Sequence, residues 1–527
     1  MFRVTVIISI WIATFGNLSL WHVLYGLPEV QGWKGLGVCL ATGVMISGVI
    51  YALLSLLAWR WTFKWAATVC LLAAASGTYF MLAYGVILDT PMMSNMLATD
   101  AREVGDLLNW RFAGTVLILG ALPCGWLWRQ AISHKAFKVQ LGRNLLGFVL
   151  ALAVAATSVL SVFQDFAALH RNHMEVRSLI NPLSSFYSLA EIATEPLWGK
   201  RGAIQPIGLD AKVTPLGKPP LIVLVIGETA RAGNFGINGY NRDTTPELAK
   251  LAKTEHLISQ KEVWSCGTST EASLPCMFSH LGKSAYESSR ARFESLLDVL
   301  QRAGLAVLWL DNQSGCKGVC DRVPNQAVSG EFLDAVMLDG LAARIAALPV
   351  DRRAKGIVVV MHQMGSHGPA YYKRSPQSMK AFMPECTNNA LASCSKDEVV
   401  NAYDNSIRYT DHFLVRTVSW LQSNAGGSSG ATAAMIYLAD HGESLGENNL
   451  YLHGLPYAIA PDVQKRVPWL TWLSRDFVAS HKLNMHCLQD RANSKLSHDN
   501  YFHSVLGLAG VQTALYKREL DIYATCR

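Results

Sequence analysis

No basic stripe interleaved with aromatic residues runs through this chain, so its formal net charge of +7 gives no case for a nucleic-acid partner. No CxxC knuckle occurs among its 11 cysteines, which weighs against a zinc site built from thiolates. No internal repeat is evident, and low complexity is confined to the short tract NAGGSSGAT, read as a turn. No small-residue cleavage site ends the first apolar stretch, so it reads as a retained helix rather than a removed signal peptide. What the chain has in excess is hydrophobicity. Half of its 527 residues are apolar and the mean hydropathy is +0.20, high for a soluble protein.

That excess is concentrated at the N-terminus. Five stretches are long enough to cross a bilayer as helices: about Val4 to Leu24, Leu36 to Trp59, Ala66 to Leu88, Phe112 to Trp128 and Leu145 to Phe163. Arg60 and Lys64 lie between the second and third, and Arg129, Lys135, Lys138 and Arg143 between the fourth and fifth. This bias puts both loops on the cytoplasmic side and everything after Phe163 on the exported face. The chain therefore divides into a transmembrane domain over 1–165, a bridge over 166–217 and an exported domain over 218–527. The loop of about 89–111 faces the exported side and is long and polar for a connector. In the bridge, SSFYSLAEIATEPLW reads equally well as a membrane-surface helix or an interdomain helix.

The cysteines agree with export. Cys39, Cys70 and Cys124 lie in the spans as buried thiols. The other eight follow the spans, an even number that favours disulfides. Three close pairs stand out: Cys266 with Cys276, Cys316 with Cys320, and Cys386 with Cys394. Cys487 and Cys526 are left over.

From Lys218 onward the pattern alternates between strand and helix, which predicts an α/β domain. Strands are expected at Leu221 to Ile226, Ala306 to Leu310, Ile357 to Met361 and Ala434 to Leu438, with helices such as Phe293 to Ala303 and Leu338 to Ala347 between them. Each strand is followed by polar residues: Glu228, then Asp311 to Gln313, then His362 to His367, then Asp440 and His441. Open α/β sheets bind ligands at this edge. In MIYLADHGESLGEN a buried strand ends on a carboxylate beside an imidazole, a metal-ligand arrangement, and Gly442 lets the backbone turn. In SCGTSTEASLPCMFS three hydroxyls, Thr268, Ser269 and Thr270, stand near an expected helix N-terminus, which favours phosphate. A metal would make one of them a nucleophile. A plain Ser/Thr helix cap reads the same way, and composition does not choose among the three.

The segments GETARAGNFGINGYNRDTTPEL, SCGTSTEASLPCMFSHLG, DNQSGCKGVCDRVP, HQMGSHGPAYYKR, NAYDNSIRYTD, DHGESLGENNLYLHG and LSHDNYFH together resemble the lipid A phosphoethanolamine transferases. That family includes the mobile colistin-resistance enzymes and belongs to the alkaline phosphatase and sulfatase superfamily. The resemblance covers the whole chain. It implies five membrane helices before a periplasmic alkaline-phosphatase-like domain with a central, mostly parallel sheet. It further implies Thr270 as nucleophile and Zn2+ held by Glu228, Thr270, Asp440 and His441, with a second zinc an option during turnover. Lys317, His367 and His453 match positions near the phosphoryl group or a second metal. Asn95, Thr99 and Glu103 match a loop that contributes to the lipid substrate site, and they share one face if that loop is a single helix. Gln313 is a departure, standing where some members carry Asn.

The reaction implied is transfer of phosphoethanolamine from phosphatidylethanolamine to a lipid A phosphate, by a monomer in the bacterial inner membrane. The added ammonium offsets surface charge and favours resistance to polymyxins such as colistin. Sulfatase chemistry is set aside, because C/S-x-P-x-R would need Arg where Met277 stands. Transfer to a core sugar, phosphoglycerol transfer and an inactive lipid-binding sensor remain as alternatives.

Overall fold

Among the described residues, helices long and apolar enough to cross a bilayer run over Phe2–Gly26, Gly35–Leu56, Phe63–Tyr84, Trp110–Arg129 and Phe137–Leu160. The computed structural model describes residues 1–27, 30–99, 101–133, 135–173, 175–198, 203–214, 217–328, 333–425 and 432–527. Each expected span falls on one of these helices. The first is not a single helix: Phe2–Thr14 and Leu18–Gly26 flank a 3-10 turn, Phe15–Asn17. The cause is Asn17, a buried amide in an apolar run. Its Nδ2 donates to the Ile12 and Asn181 carbonyls (2.9 and 2.7 Å), and its Oδ1 accepts from Asn181 N (2.8 Å). Asn181 Nδ2 in turn donates to the Gly16 and Ala74 carbonyls (3.0 and 2.6 Å). Amides buried in an apolar bundle need such partners.

The chain forms two compact units, Met1–Met93 with Leu107–Ala193 and Ser94–Asp106 with Thr194–Arg527. Residues 94–106 of the exported loop thus group with the second unit. The expected bridge is divided between the two, and its stretch SSFYSLAEIATEPLW forms the helix Leu183–Trp198.

The second unit is built on one sheet. In chain order its strands are β1 (Pro220–Gly227), β2 (His256–Trp264), β3 (Ala306–Asp311), β4 (Asn325–Ala327), β5 (Ile357–His362), β6 (Thr432–Ala439), β7 (Arg466–Leu473) and β8 (Lys495–Ser497). Across the sheet the order is β8-β2-β7-β6-β1-β5-β3-β4. Only β7 runs antiparallel to its neighbours. The four strands read from sequence, β6, β1, β5 and β3, are adjacent at the centre. Their near-continuous apolar runs are buried, as a sheet covered on both faces requires. Helix Lys396–Ala425 buries Val399, Ala402, Tyr403, Ile407, Leu414, Val418 and Leu421, a stripe at helical spacing. The helix expected from Phe293 begins only at Leu296, because Ser295 and Asp298 form a capping box there. The helix expected over Leu338 to Ala347 is confined to Leu341–Ala346, after a 3-10 turn over Asp334–Leu338.

Disulfides join Cys266–Cys276, Cys316–Cys320, Cys386–Cys394 and Cys487–Cys526. No thiolate outside the membrane-spanning helices is left to bind zinc among the described residues. Cys39, Cys70 and Cys124 are free.

Candidate active site

Because β6, β1, β5 and β3 are neighbours and parallel, their carboxyl ends fall on one edge. Glu228 follows β1 and Asp440 and His441 follow β6, where Gly227 and Ala439 are register partners. Each of the three offers a ligand atom, and these atoms lie within 4.8 Å of one another. Helix Thr270–Met277 begins at the nucleophile candidate itself. Thr270 Oγ1 donates to Glu228 Oε2 (3.1 Å) and lies 3.4 Å from His441 Nε2. Of the neighbouring hydroxyls, Thr268 is turned away and donates to the Leu455 carbonyl (2.6 Å).

This set fits a divalent cation such as zinc. Glu228, Asp440 and His441 are buried, and Asp440 Oδ2 has no hydrogen-bond partner among the described residues. His441 Nδ1 donates to the Gly442 carbonyl (2.9 Å), which orients Nε2 toward both carboxylates at 3.4 Å, where it can bind a cation in place of a proton. Burial alone would raise the Glu228 pKa, but His441, with His367 and His362, holds it well below the ordinary carboxylate value. Asp440 is pushed up to about 6 by burial and by the Glu228 charge. Burial opposes the His441 charge, yet Asp440 and Glu228 raise it to about 10. Two buried carboxylates side by side call for positive charge between them.

The other expected residues are placed as follows. His453 Nδ1 is 2.8 Å from Glu443 Oε2, its ring centroid is 4.3 Å from His441, and the His367 ring is 5.5 Å beyond. His453 therefore neighbours both His441 and His367. Tyr371 donates to the other Glu443 oxygen. Lys317 Nζ donates to Ser314 O and Oγ (3.2 and 3.1 Å). Ser314 follows Gln313, whose Nε2 donates to Glu228 Oε2 (3.1 Å). The departure at Gln313 therefore touches one of the candidate metal ligands.

The exported loop is not one helix. It forms Thr90–Ala98 and Ala101–Leu107, and Thr99 Oγ1 turns back onto the Asn95 carbonyl (2.9 Å). Thr99 thus lies just past the end of the helix that holds Asn95, and the single shared face expected of the loop is interrupted. The Glu103 side chain lies outside the described residues. Gly442 also differs in its reason. It is not in the left-handed region, but a Cβ there would lie 2.0 Å from the Val463 carbonyl oxygen, so the need is for space rather than for a turn.

Several positioning residues were not singled out from sequence. Thr229, at φ 57°, donates through N to Asp440 Oδ1 (3.1 Å) and through Oγ1 to Glu228 Oε1 (2.6 Å). This unfavourable backbone conformation is held where it binds both carboxylates. Ser273 Oγ donates to the Asp440 carbonyl (2.5 Å). His498 Nδ1 accepts from Cys266 N (3.1 Å), so Nε2 carries the proton donated to the Ala439 carbonyl (3.0 Å). His498 thereby joins the turn before Thr270 to the strand end that carries Asp440. Its motif, LSHDNYFH, was visible; what it touches was not.

Fold and site define a class: membrane-anchored proteins with a sulfatase-type α/β domain and, at its sheet edge, a buried cluster able to hold a metal. The "Sulfatase" family model matches residues 220–511, and the model "Phosphoethanolamine transferase EptA/EptB" matches residues 46–197. Phosphoethanolamine transferase EptA of Salmonella typhimurium is 37% identical over 98% of this chain and 96% of its own length. Phosphatidylethanolamine transferase Mcr-1 of Escherichia coli is 36% identical over 89% of this chain and 88% of its own. The solved lipooligosaccharide phosphoethanolamine transferase A of Neisseria meningitidis superposes with a TM-score of 0.91 at 30% identity, covering 100% of this chain and 98% of that one. The chain belongs to the phosphoethanolamine transferase family.

Proposed function

We propose that this chain transfers phosphoethanolamine from phosphatidylethanolamine to a phosphate of lipid A through a covalent intermediate on Thr270. It does so in the bacterial inner membrane, with the second unit in the periplasm. The observation that carries this reading is the Thr270 hydroxyl, at the first residue of its helix and 3.1 Å from Glu228 within the buried cluster. Glu228, Thr270, Asp440 and His441 would hold zinc. When bound, zinc would lower the pKa of the Thr270 hydroxyl and offset phosphate charge.

In the first step the Thr270 oxygen attacks the donor phosphorus, its proton leaving along the hydrogen bond to Glu228. The bond from phosphorus to the diacylglycerol oxygen breaks, and His453 or His367 protonates that oxygen. Glu443 holds His453 through Nδ1 and so orients the ring. In the second step a lipid A phosphate oxygen attacks the same phosphorus, the bond from phosphorus to Thr270 Oγ1 breaks and Glu228 returns the proton to that oxygen, while the proton lost by the accepting phosphate restores the histidine. Lys317 supplies positive charge near the phosphate. Asn95, Thr99 and Glu103 meet the lipid donor from the exported loop.

Mass spectrometry of lipid A from a Gram-negative host expressing the chain, beside the Thr270→Ala variant, tests this. Phosphoethanolamine is expected on lipid A with the wild type only. Addition to a core sugar instead, or of phosphoglycerol, would move the acceptor or the donor. Full transfer by Thr270→Ala would sink the mechanism, and absence of zinc from the purified protein would favour a lipid-binding sensor.

A further inference from the structure

Helices Phe2–Thr14, Gly32–Leu56 and Phe137–Leu160 enclose a trough of about 700 Å3 within the membrane unit, lined by small residues such as Gly43, Ser47, Gly48 and Ala151. Ligand pockets span roughly 300–1,000 Å3. A second cavity of about 420 Å3 adjoins it, sharing Phe2, Tyr51, Gly147 and Leu150. That second cavity is polar at its far end, where Gln140, Arg143 and Asn144 line it, and among the described residues no carboxylate lines either cavity.

The polar end carries an available cation. Gln140 and Asn144 are satisfied by each other (2.8 Å) and by the Ala58 carbonyl (3.2 Å each). Arg143 is exposed and makes no ion pair among the described residues. An independent observation lies in the trough itself. Ser9 is buried on its wall, and its Oγ has no hydrogen-bond partner among the described residues. An unpaired hydroxyl in an apolar wall is costly unless a ligand oxygen meets it.

We propose that this groove binds an anionic glycerophospholipid of the cytoplasmic leaflet, its phosphate at Arg143, an acyl chain in the trough and an ester oxygen at Ser9. The leaflet follows from the Lys and Arg bias of the loops. Basic pockets between membrane helices on that side suit anionic head groups, whereas the zwitterionic donor lipid gains less from Arg143. The site belongs to the membrane unit alone and does not depend on the transfer reaction.

Native mass spectrometry of the full-length protein, challenged with phosphatidylglycerol or phosphatidylethanolamine of matched chains, tests this. Phosphatidylglycerol should be retained preferentially, and Arg143→Ala should lower its retention about fivefold. Arg129→Ala, an exposed arginine outside the groove, should change nothing. A Cβ at Gly43 meets only the Trp21 ring, at 3.5 Å or more, so Gly43→Leu fills the trough and should abolish retention of both lipids. Equal retention of the two lipids, unchanged by Arg143→Ala and Gly43→Leu, would show annular lipid only and overturn the proposal. A loss as large in Arg129→Ala would overturn it too.

Discussion

Arg374 places its Nη2 3.2 Å from the buried carboxylate of Asp106, 268 residues earlier in the chain. The same carboxylate accepts from Lys373 Nζ at 2.5 Å, and Arg374 Nε donates to the His367 carbonyl at 2.9 Å. Asn389 Nδ2 holds the Asp106 carbonyl (2.6 Å). Within the second unit, the segment Ser94–Asp106 is therefore tied at Asp106 to the turn that carries His367. Removing one partner of a buried pair leaves a charge uncompensated. Asp106→Ala should destabilise the protein by about 3–5 kcal/mol. Thermal melting of the purified full-length protein checks this, and an unchanged midpoint would mean the pair holds nothing.

His498 predicts a graded series. Burial holds its pKa down to about 3, so it is neutral and bridges Cys266 N to the Ala439 carbonyl. His498→Ala loses both bonds. His498→Gln can keep the donor to Ala439, because its amide nitrogen reaches the place of Nε2. Zinc affinity and kcat should fall in both, and less in the Gln variant, with KM for the donor lipid little changed. Equal losses in the two variants would reduce His498 to packing.

Asp411 sets a pH dependence away from the Glu228–Asp440–His441 cluster. Its oxygens accept from Glu247 N (2.9 Å) and Leu248 N (2.8 Å) at the start of helix Pro246–Leu251. Burial, the largest influence, nevertheless raises its pKa from 3.8 to about 7. A raised pKa means the fold holds the proton more tightly than the unfolded chain does. The stability so gained is full below about pH 4 and is lost as pH rises through about 7. Asp411→Asn cannot titrate, so the wild-type midpoint should fall relative to the variant between pH 4 and 7. Parallel curves would contradict the shift.

Chelation should destabilise the second unit, and more so in alkaline buffer. Without a cation Asp440 titrates at about 6, raised by burial and by Glu228. Below that pH its proton relieves the repulsion between the two carboxylates. Above it both are charged and buried. The gap in melting temperature between zinc-replete and chelated protein should widen from pH 5 to pH 8. A gap independent of pH would argue against Asp440 as a ligand.

The parallel core was legible because β1, β3, β5 and β6 are apolar along nearly their whole length, as strands buried on both faces are. The polar residues after each strand could be read as one edge for the same reason. Less visible were contacts that only the folded chain creates. Thr229 lies beside Glu228 in sequence, yet its role depends on Asp440, 211 residues away. His498 is 59 residues from Ala439 and 232 from Cys266. The turn at Asn17 within the first span depends on Asn181, which hydropathy does not link to it. Thr99 ends a helix that spacing alone would have continued.

The exchange of hydrogen bonds between Asn17 and Asn181 has a consequence for biogenesis. Asn17 enters the membrane with the first span, but its partner is synthesised 164 residues later, after all five spans. Until then the Asn17 amide has the Ile12 carbonyl but neither of its bonds to the Asn181 backbone. The membrane unit thus seals last where it began first, and a nascent chain halted short of Asn181 would expose an open first span to quality-control proteases.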